Sequence, residues 1–502
     1  MTHVALAGEK HPDPAGLPYG TLCDHVVSID SDGTLMTKNG DHPPPDLIVR
    51  HILDRVAQSK KKRIALYIHG GRVTMGQALK TAQSVGPLIY EDCEEGAYPI
   101  FICWETGDLS TYKDHLLYKR SGISYRHTPA GRLSALTAPL QLGADLGRGV
   151  SRLPVNTIAN YGKLLQNSDL LPVSTKWMFP VRQQYQNNLA QYYLPSGVEV
   201  QQAIKKGFIY PDRYAPDKIQ ISVGADADHY QLKFFVHQAM TLPLQIASEG
   251  LLDSAGTSEW SNMVGRTHNM FYAPRAYLPQ DHPPQGQPGV RSDGAATVFF
   301  RELRSFLSHH DVGLDIYAHS MGSMVTNEAF ARFPDLRVSH IVFMSAACSI
   351  RQFANTTALH IKQYKTPFYN LSLHPRAELD EVEAFGVPVR GSLLTWIDEF
   401  FESPPSFGDR TLGTFENVII AHNQLPQCSS VHLKAFGIEN GRGRHDCYAG
   451  PQKHGEYKDY YFWHRDFWLP QPPDKRYHKI PHHTTEPNVV CNGDEQPVLH
   501  AR

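Results

Sequence analysis

The run Leu314-Asp315-Ile316-Tyr317-Ala318-His319-Ser320-Met321-Gly322-Ser323-Met324-Val325 constrains this chain more than any other. A short apolar segment enters Ala-His-Ser-Met-Gly and leaves as a helical pattern, so the spacing predicts a strand, a sharp turn with Ser320 at its apex, and a helix. Such a turn forces the serine into strained backbone geometry and lifts its hydroxyl clear of the sheet edge. It also puts the next N–H at a helix start, where negative charge is favoured. The residues two before and two after the serine must be small, because strand end and helix start pass close together; Ala318 and Gly322 meet that demand. Ala318 departs by one methyl group from the usual G-x-S-x-G.

The rest of the chain alternates in the same sense. Apolar runs Ile64–His69 and Tyr98–Trp104 suit buried parallel strands, and helices are expected at about 45–60 and 75–90. A helix over Ala295–His309, with Val298, Phe299, Leu303, Phe306 and Leu307 on its apolar side, leads into the serine strand. Runs at 339–345, 367–373 and 431–436 supply three more strands. The expectation is an α/β fold, a doubly wound and mostly parallel sheet covered on both faces by helices. Residues 25–37 read as a hairpin, so that 1–60 form an N-terminal hairpin and helix. Core segments over 61–114 and 294–468 flank an insertion at 115–293, expected to fold as a partly helical cap, with a helix near Val181–Tyr193 and a Pro/Gln-rich loop at 279–288. Its aromatics Phe208, Tyr210, Trp260, Phe271 and Tyr272 either line an apolar acyl site or are plain core. Residues 469–502, rich in Pro and His, read as an irregular tail.

Length and charge narrow the classes. The 502 residues are 41% hydrophobic and 20% charged, enough for one large core. Lys+Arg of 48 against Asp+Glu of 50 gives a net charge of -2, without the basic footprint of a nucleic-acid binder. The start lacks a secretory signal and no stretch approaches the roughly 20 apolar residues of a membrane span, so a soluble cytoplasmic protein is expected. Seven scattered cysteines form no C-x-x-C pair, and the 27 histidines contain no H-E-x-x-H, so no metal is expected. The loop after Ile68 lacks G-x-x-x-x-G-K-[ST], and no cofactor is called for.

A serine nucleophile needs a base, an acid to orient that base and N–H donors for an oxyanion. In doubly wound hydrolases these follow the order Ser, Asp/Glu, His. Past the strand ending at Leu373, Glu378 is the first choice for the acid, with Asp380 and Asp409 as rivals. His454 is the favoured base over His445, because the aromatic segment Tyr457–Trp468 can pack as a final helix and anchor its loop. The oxyanion donors are the Met321 N–H and one from Ile68-His69-Gly70-Gly71-Arg72, Gly71 ahead of Arg72.

With Tyr67–Gly71, Trp104, Ala318–Gly322 and His454-Gly455 in place, the chain resembles the α/β-hydrolase superfamily, and within it the serine esterase/lipase-like families with an Ala-His-Ser-Met-Gly elbow. The resemblance covers about 60–110 and 295–470. It implies metal-independent ester hydrolysis by a Ser-acid-His triad on a small-molecule or lipid-like ester. Acyl transfer or amide cleavage by the same triad, and a non-catalytic scaffold on a hydrolase fold, are the alternatives.

Overall fold

A computed structural model describes residues 19–36 apart from 32, then 44–117, 119–120, 123–124, 135–167, 209–211, 256–272, 293–373, 377–378, 381, 383–384, 387–388, 391–402, 407–415, 417–418, 426, 430–436, 450–469, 477 and 479–480. In chain order the main elements are β1 (Val26–Ile29), α1 (Pro45–Ser59), β2 (Arg63–Ile68), α2 (Met75–Glu91), β3 (Tyr98–Trp104), α3 (Asp108–Leu117), α4 (Ala138–Asn167) and β4 (Ile209–Pro211). Then come α5 (256–269), α6 (Ala295–His309), β5 (Gly313–His319), α7 (Gly322–Arg332), β6 (His340–Met344), α8 (Ile350–Asn355), α9 (Thr357–Tyr364), β7 (Phe368–Ser372) and β8 (Val431–Ala435).

Eight strands form one sheet in the order β1-β3-β2-β5-β6-β7-β8-β4, every pairing parallel. Parallel strands need covered faces, and the side-chain alternation of each strand supplies two cores. Ile64, Leu66 and Ile68 of β2, with Leu314, Ile316 and Ala318 of β5, join one core with α1 and α6. Ala65, Tyr67 and Tyr317 face the other, built from α2 and the aromatic residues 457–468. The apolar side of α6 is buried as its spacing predicts. α2 starts at Thr74, whose hydroxyl accepts the Gln77 N–H at 3.3 Å while the Gln77 side chain accepts the Thr74 N–H at 2.9 Å, a reciprocal cap.

Three expectations are modified. The hairpin at 25–37 closes through a single antiparallel bridge, Ile29 to Leu35, and its first arm is the edge strand of the main sheet, paired with β3. Residues 457–468 are not one helix but a 3₁₀ turn, Glu456–Asp459, and a short helix, Arg465–Trp468. The break is held by Asp92, which accepts hydrogen bonds from Trp463 Nε1 at 2.9 Å and His464 Nε2 at 2.5 Å and so turns those rings toward α2. Of the aromatics in residues 115–293, Trp260 and Phe271 lie in the main core, Phe271 stacked on Phe300; only the backbone of Tyr210 is described, in β4. Phe208, the helix near 181–193 and the loop at 279–288 lie outside the described residues.

At the end of β5 opposite Ser320, Asp315 is 1% exposed and accepts from Arg63 Nε at 2.8 Å and pairs with His340 Nδ1 at 2.9 Å. Removing one member of a buried ion pair leaves the others desolvated without compensation. Asp315→Ala should therefore lower stability by about 3 kcal/mol, read from the urea midpoint. Among the described residues no helix is long and apolar enough to cross a membrane.

Candidate active site

The turn after β5 adopts the strained geometry its sequence requires. Ser320 has φ +50, the left-handed region, and its N–H donates to Met344 O at 2.9 Å, tying the apex to the end of β6. The carbonyl of Ser320 accepts from Ala347 N–H at 3.0 Å and from Ser323 Oγ at 2.6 Å. Every backbone group at the apex is thus engaged, yet the Ser320 hydroxyl, buried at 1% exposure, has no hydrogen-bond partner among the described residues. Ser345 makes an instructive contrast. It also has positive φ, +44, but its hydroxyl donates to Tyr457 OH at 2.9 Å.

The Gly70–Gly71 loop after β2 lies directly on this apex. A Cβ on Gly70 would stand 2.7 Å from Ser320 Cβ, so glycine is needed there, and one on Gly71 would stand 2.5 Å from Met321 Sδ, so that side chain would have to move. Neither the Gly71 nor the Met321 N–H finds an acceptor among the described residues. His69 fixes the loop from below: its ring stacks on Trp104, Nε2 accepts the Trp104 N–H at 3.0 Å, and Nδ1 meets Gly70 O at 2.6 Å. The next residue, Arg72, has φ +61 and forks its guanidinium onto Asp108, at 2.9 Å from Nε and 2.7 Å from Nη2.

His454 arrives from the far end of the chain. His319 Nε2 donates to its carbonyl at 2.7 Å, the two rings are 5.1 Å apart, and its N–H donates to Glu381 Oε2 at 2.9 Å. The backbone is pinned while both ring nitrogens, buried, have no partner among the described residues. Burial, then the neighbouring His319 and Arg72, push the His454 imidazole well below the ordinary histidine range. Burial likewise takes His69 and His319 down to about 4, so all three rings are neutral at neutral pH. A cavity of about 220 Å³ opens beside these groups, lined by His69, Gly71, His319, Glu381, His454 and Lys458.

The expected acids fare differently. Glu378 is buried and accepts a hydrogen bond from Ser392 Oγ; its charge, with that of Glu381, raises the Tyr457 phenol after burial has done so. No hydrogen bond joins its carboxylate to the His454 ring. Asp409 lies instead in an exposed ion pair with Arg351 at 2.6 Å. Asp380 and His445 lie outside the described residues.

Sequence reasoning passed over Glu381, which stands in the same loop as Glu378 and accepts the His454 N–H. Burial pushes its carboxyl up to about 7. The available signal was its place in the acidic run after Leu373. His319, adjacent to Ser320, was also passed over as a support for His454. No family model, curated protein or solved structure matches the chain.

Proposed function

We propose that the protein is a serine hydrolase of α/β-hydrolase type that cleaves carboxylic esters. One observation carries this reading: the Ser320 hydroxyl, buried and without a hydrogen-bond partner among the described residues, sits on a left-handed strand-to-helix turn packed against the Gly70–Gly71 loop. Ser320 Oγ attacks the ester carbonyl carbon while its proton passes to a ring nitrogen of neutral His454. The oxyanion is held by the Gly71 and Met321 N–H groups, each donor worth about 3 kcal/mol in transition-state stabilisation. Collapse breaks the bond to the alkoxide, which takes the proton from His454 and leaves an acyl group on Ser320. Water, deprotonated by the same histidine, attacks the acyl carbon and restores the serine. Glu378 is the acid assigned to orient His454, with its carboxylate exchanging Ser392 for the ring when substrate is bound.

The test is labelling of purified protein by a fluorophosphonate, with the adduct mapped by mass spectrometry. The adduct is expected on Ser320, and short and long p-nitrophenyl esters are expected to turn over. Because burial keeps His454 in its free-base form, the acid limb of the labelling rate should fall below the ordinary imidazole range. An adduct elsewhere, or none, would reject the reading.

A further inference from the structure

The cavity beside His454 holds a charge that the surrounding fold does not balance. Tyr67 of β2, Phe101 of β3 and Ala78 of α2 give it an apolar side, and the buried rings of His69, His319 and His454 line it as well. Three charged side chains among the described residues face it. Arg72 is committed to Asp108, at 2.9 Å from Nε and 2.7 Å from Nη2. Glu381 Oε2 accepts the His454 N–H at 2.9 Å, and burial pushes its carboxyl up to about 7. Lys458 differs from both. It stands on the 3₁₀ turn Glu456–Asp459, where Tyr457 is buried with its OH on Ser345 Oγ at 2.9 Å and Glu456 pairs with Lys479 at 3.5 Å. The turn is thus fixed, yet the Lys458 ammonium is half-buried with no hydrogen bond and no carboxylate partner among the described residues. Its charge is felt at the buried rings: burial is the main reason that His69 and His319 resist protonation, and Lys458 adds to it at both. A cation drawn partly out of water without a counterion is costly, and an anion entering the cavity offsets that cost.

We propose that this cavity is a subsite for an anionic group, and that the esters the protein cleaves carry a carboxylate or phosphate that Lys458 binds. This rests on the reading of Ser320 as the nucleophile and names the substrate class of that same site. One cavity brings together Gly71 and His454, which act on the ester carbonyl, and Lys458, which holds the anion. Its apolar side suits a short hydrocarbon spacer joining the two. Gln77 supplies a second donor: its side-chain oxygen accepts the Thr74 N–H at 2.9 Å, so its amide N–H groups remain available to the cavity it lines. Glu381 is the one acidic side chain among the lining residues, and near neutral pH its carboxyl carries only part of a charge against an incoming anion.

The experiment compares kcat/KM for p-nitrophenyl hemiadipate with that for p-nitrophenyl hexanoate, which is neutral and of the same chain length. It uses the full chain at pH 7.5 in the unmodified protein, Lys458→Gln and Lys458→Arg. The ratio of anionic to neutral ester should fall about ten- to a hundredfold in Lys458→Gln, the scale of one charge-assisted hydrogen bond. Lys458→Arg should keep most of the ratio. Taking the ratio within each preparation cancels any loss of folded protein. A ratio unchanged in Lys458→Gln, with both esters still cleaved, overturns the subsite and leaves the nucleophile standing. A second readout is free of activity: adipate and inorganic phosphate are added separately to the unmodified protein and to Lys458→Gln, and the melting temperature is followed. The larger rise in the unmodified protein tells a carboxylate from a phosphate as the bound group. Where neither ester turns over, a rise that Lys458→Gln removes keeps the anion subsite and overturns the nucleophile. In that case equal rises in the two proteins, or none, overturn both.

Discussion

Ser320→Ala should abolish fluorophosphonate labelling and lower ester turnover by about three orders of magnitude or more, with the melting temperature nearly unchanged. The stability expectation follows from the hydroxyl making no hydrogen bond among the described residues, so its removal orphans none of them. His454→Ala should cost a comparable factor. Serine and histidine act as a unit, so the double variant should be little worse than either single one. Multiplying losses would mean that the two side chains serve different steps, and the proposed proton transfer between them would be wrong. Glu378→Gln should cost less than either, because an acid that orients a base contributes only through it. The same assay on Glu381→Gln then decides which of the two buried carboxyl groups in this loop bears on the ring.

Gly322→Val should give the largest loss of stability of any single change at the elbow. A Cβ at this position would stand 2.3 Å from Ile68 O and 3.0 Å from Ile68 C. Both are backbone atoms in the centre of a parallel sheet, with neighbours on either side, and no flexible side chain is available to yield. Overpacking of this kind costs about 3 kcal/mol or more, and the relief route, displacement of β2, would carry Gly70 and Gly71 off Ser320. A urea titration with a labelling assay at each concentration should show destabilisation and lost reactivity together. Ala318→Gly, on the other side of the serine, should leave reactivity intact, since the alanine methyl is already accommodated in the core.

The elements that could be read from the sequence are those whose signal is local. Arg63–Ile68, Tyr98–Trp104 and Gly313–His319 are apolar runs of strand length, and Ala295–His309 shows its buried stripe in its own spacing. The elbow was legible because a steric rule fixes the residues around Ser320, and the glycines after Ile68 because close backbone approach needs them. What stayed hidden depends on pairing between distant segments. Arg266 and Thr111 are 155 residues apart, and nothing in either neighbourhood announces the other. The same holds for Asp92, whose hydrogen bonds to Trp463 and His464 turn an apparently helical aromatic stretch into two turns. The choice among loop carboxylates after Leu373 could not be made from order alone, because burial and the Ser392 and His454 contacts distinguish Glu378 and Glu381, not their spacing.

The long reach between Asp92 and the Trp463-His464 pair has a consequence for biosynthesis. The ribosome delivers the strand ending at Ser320 and the two glycines packed against it well before it delivers the histidine that contacts His319, 135 residues further on. The second core waits longer still, since Tyr67 and Tyr317 are covered by Phe462. A nascent chain that has emerged only through residue 450 therefore has Ser320 without His454 and a sheet face that α2 covers only in part. Premature termination there should yield a product without esterase activity that chaperones retain.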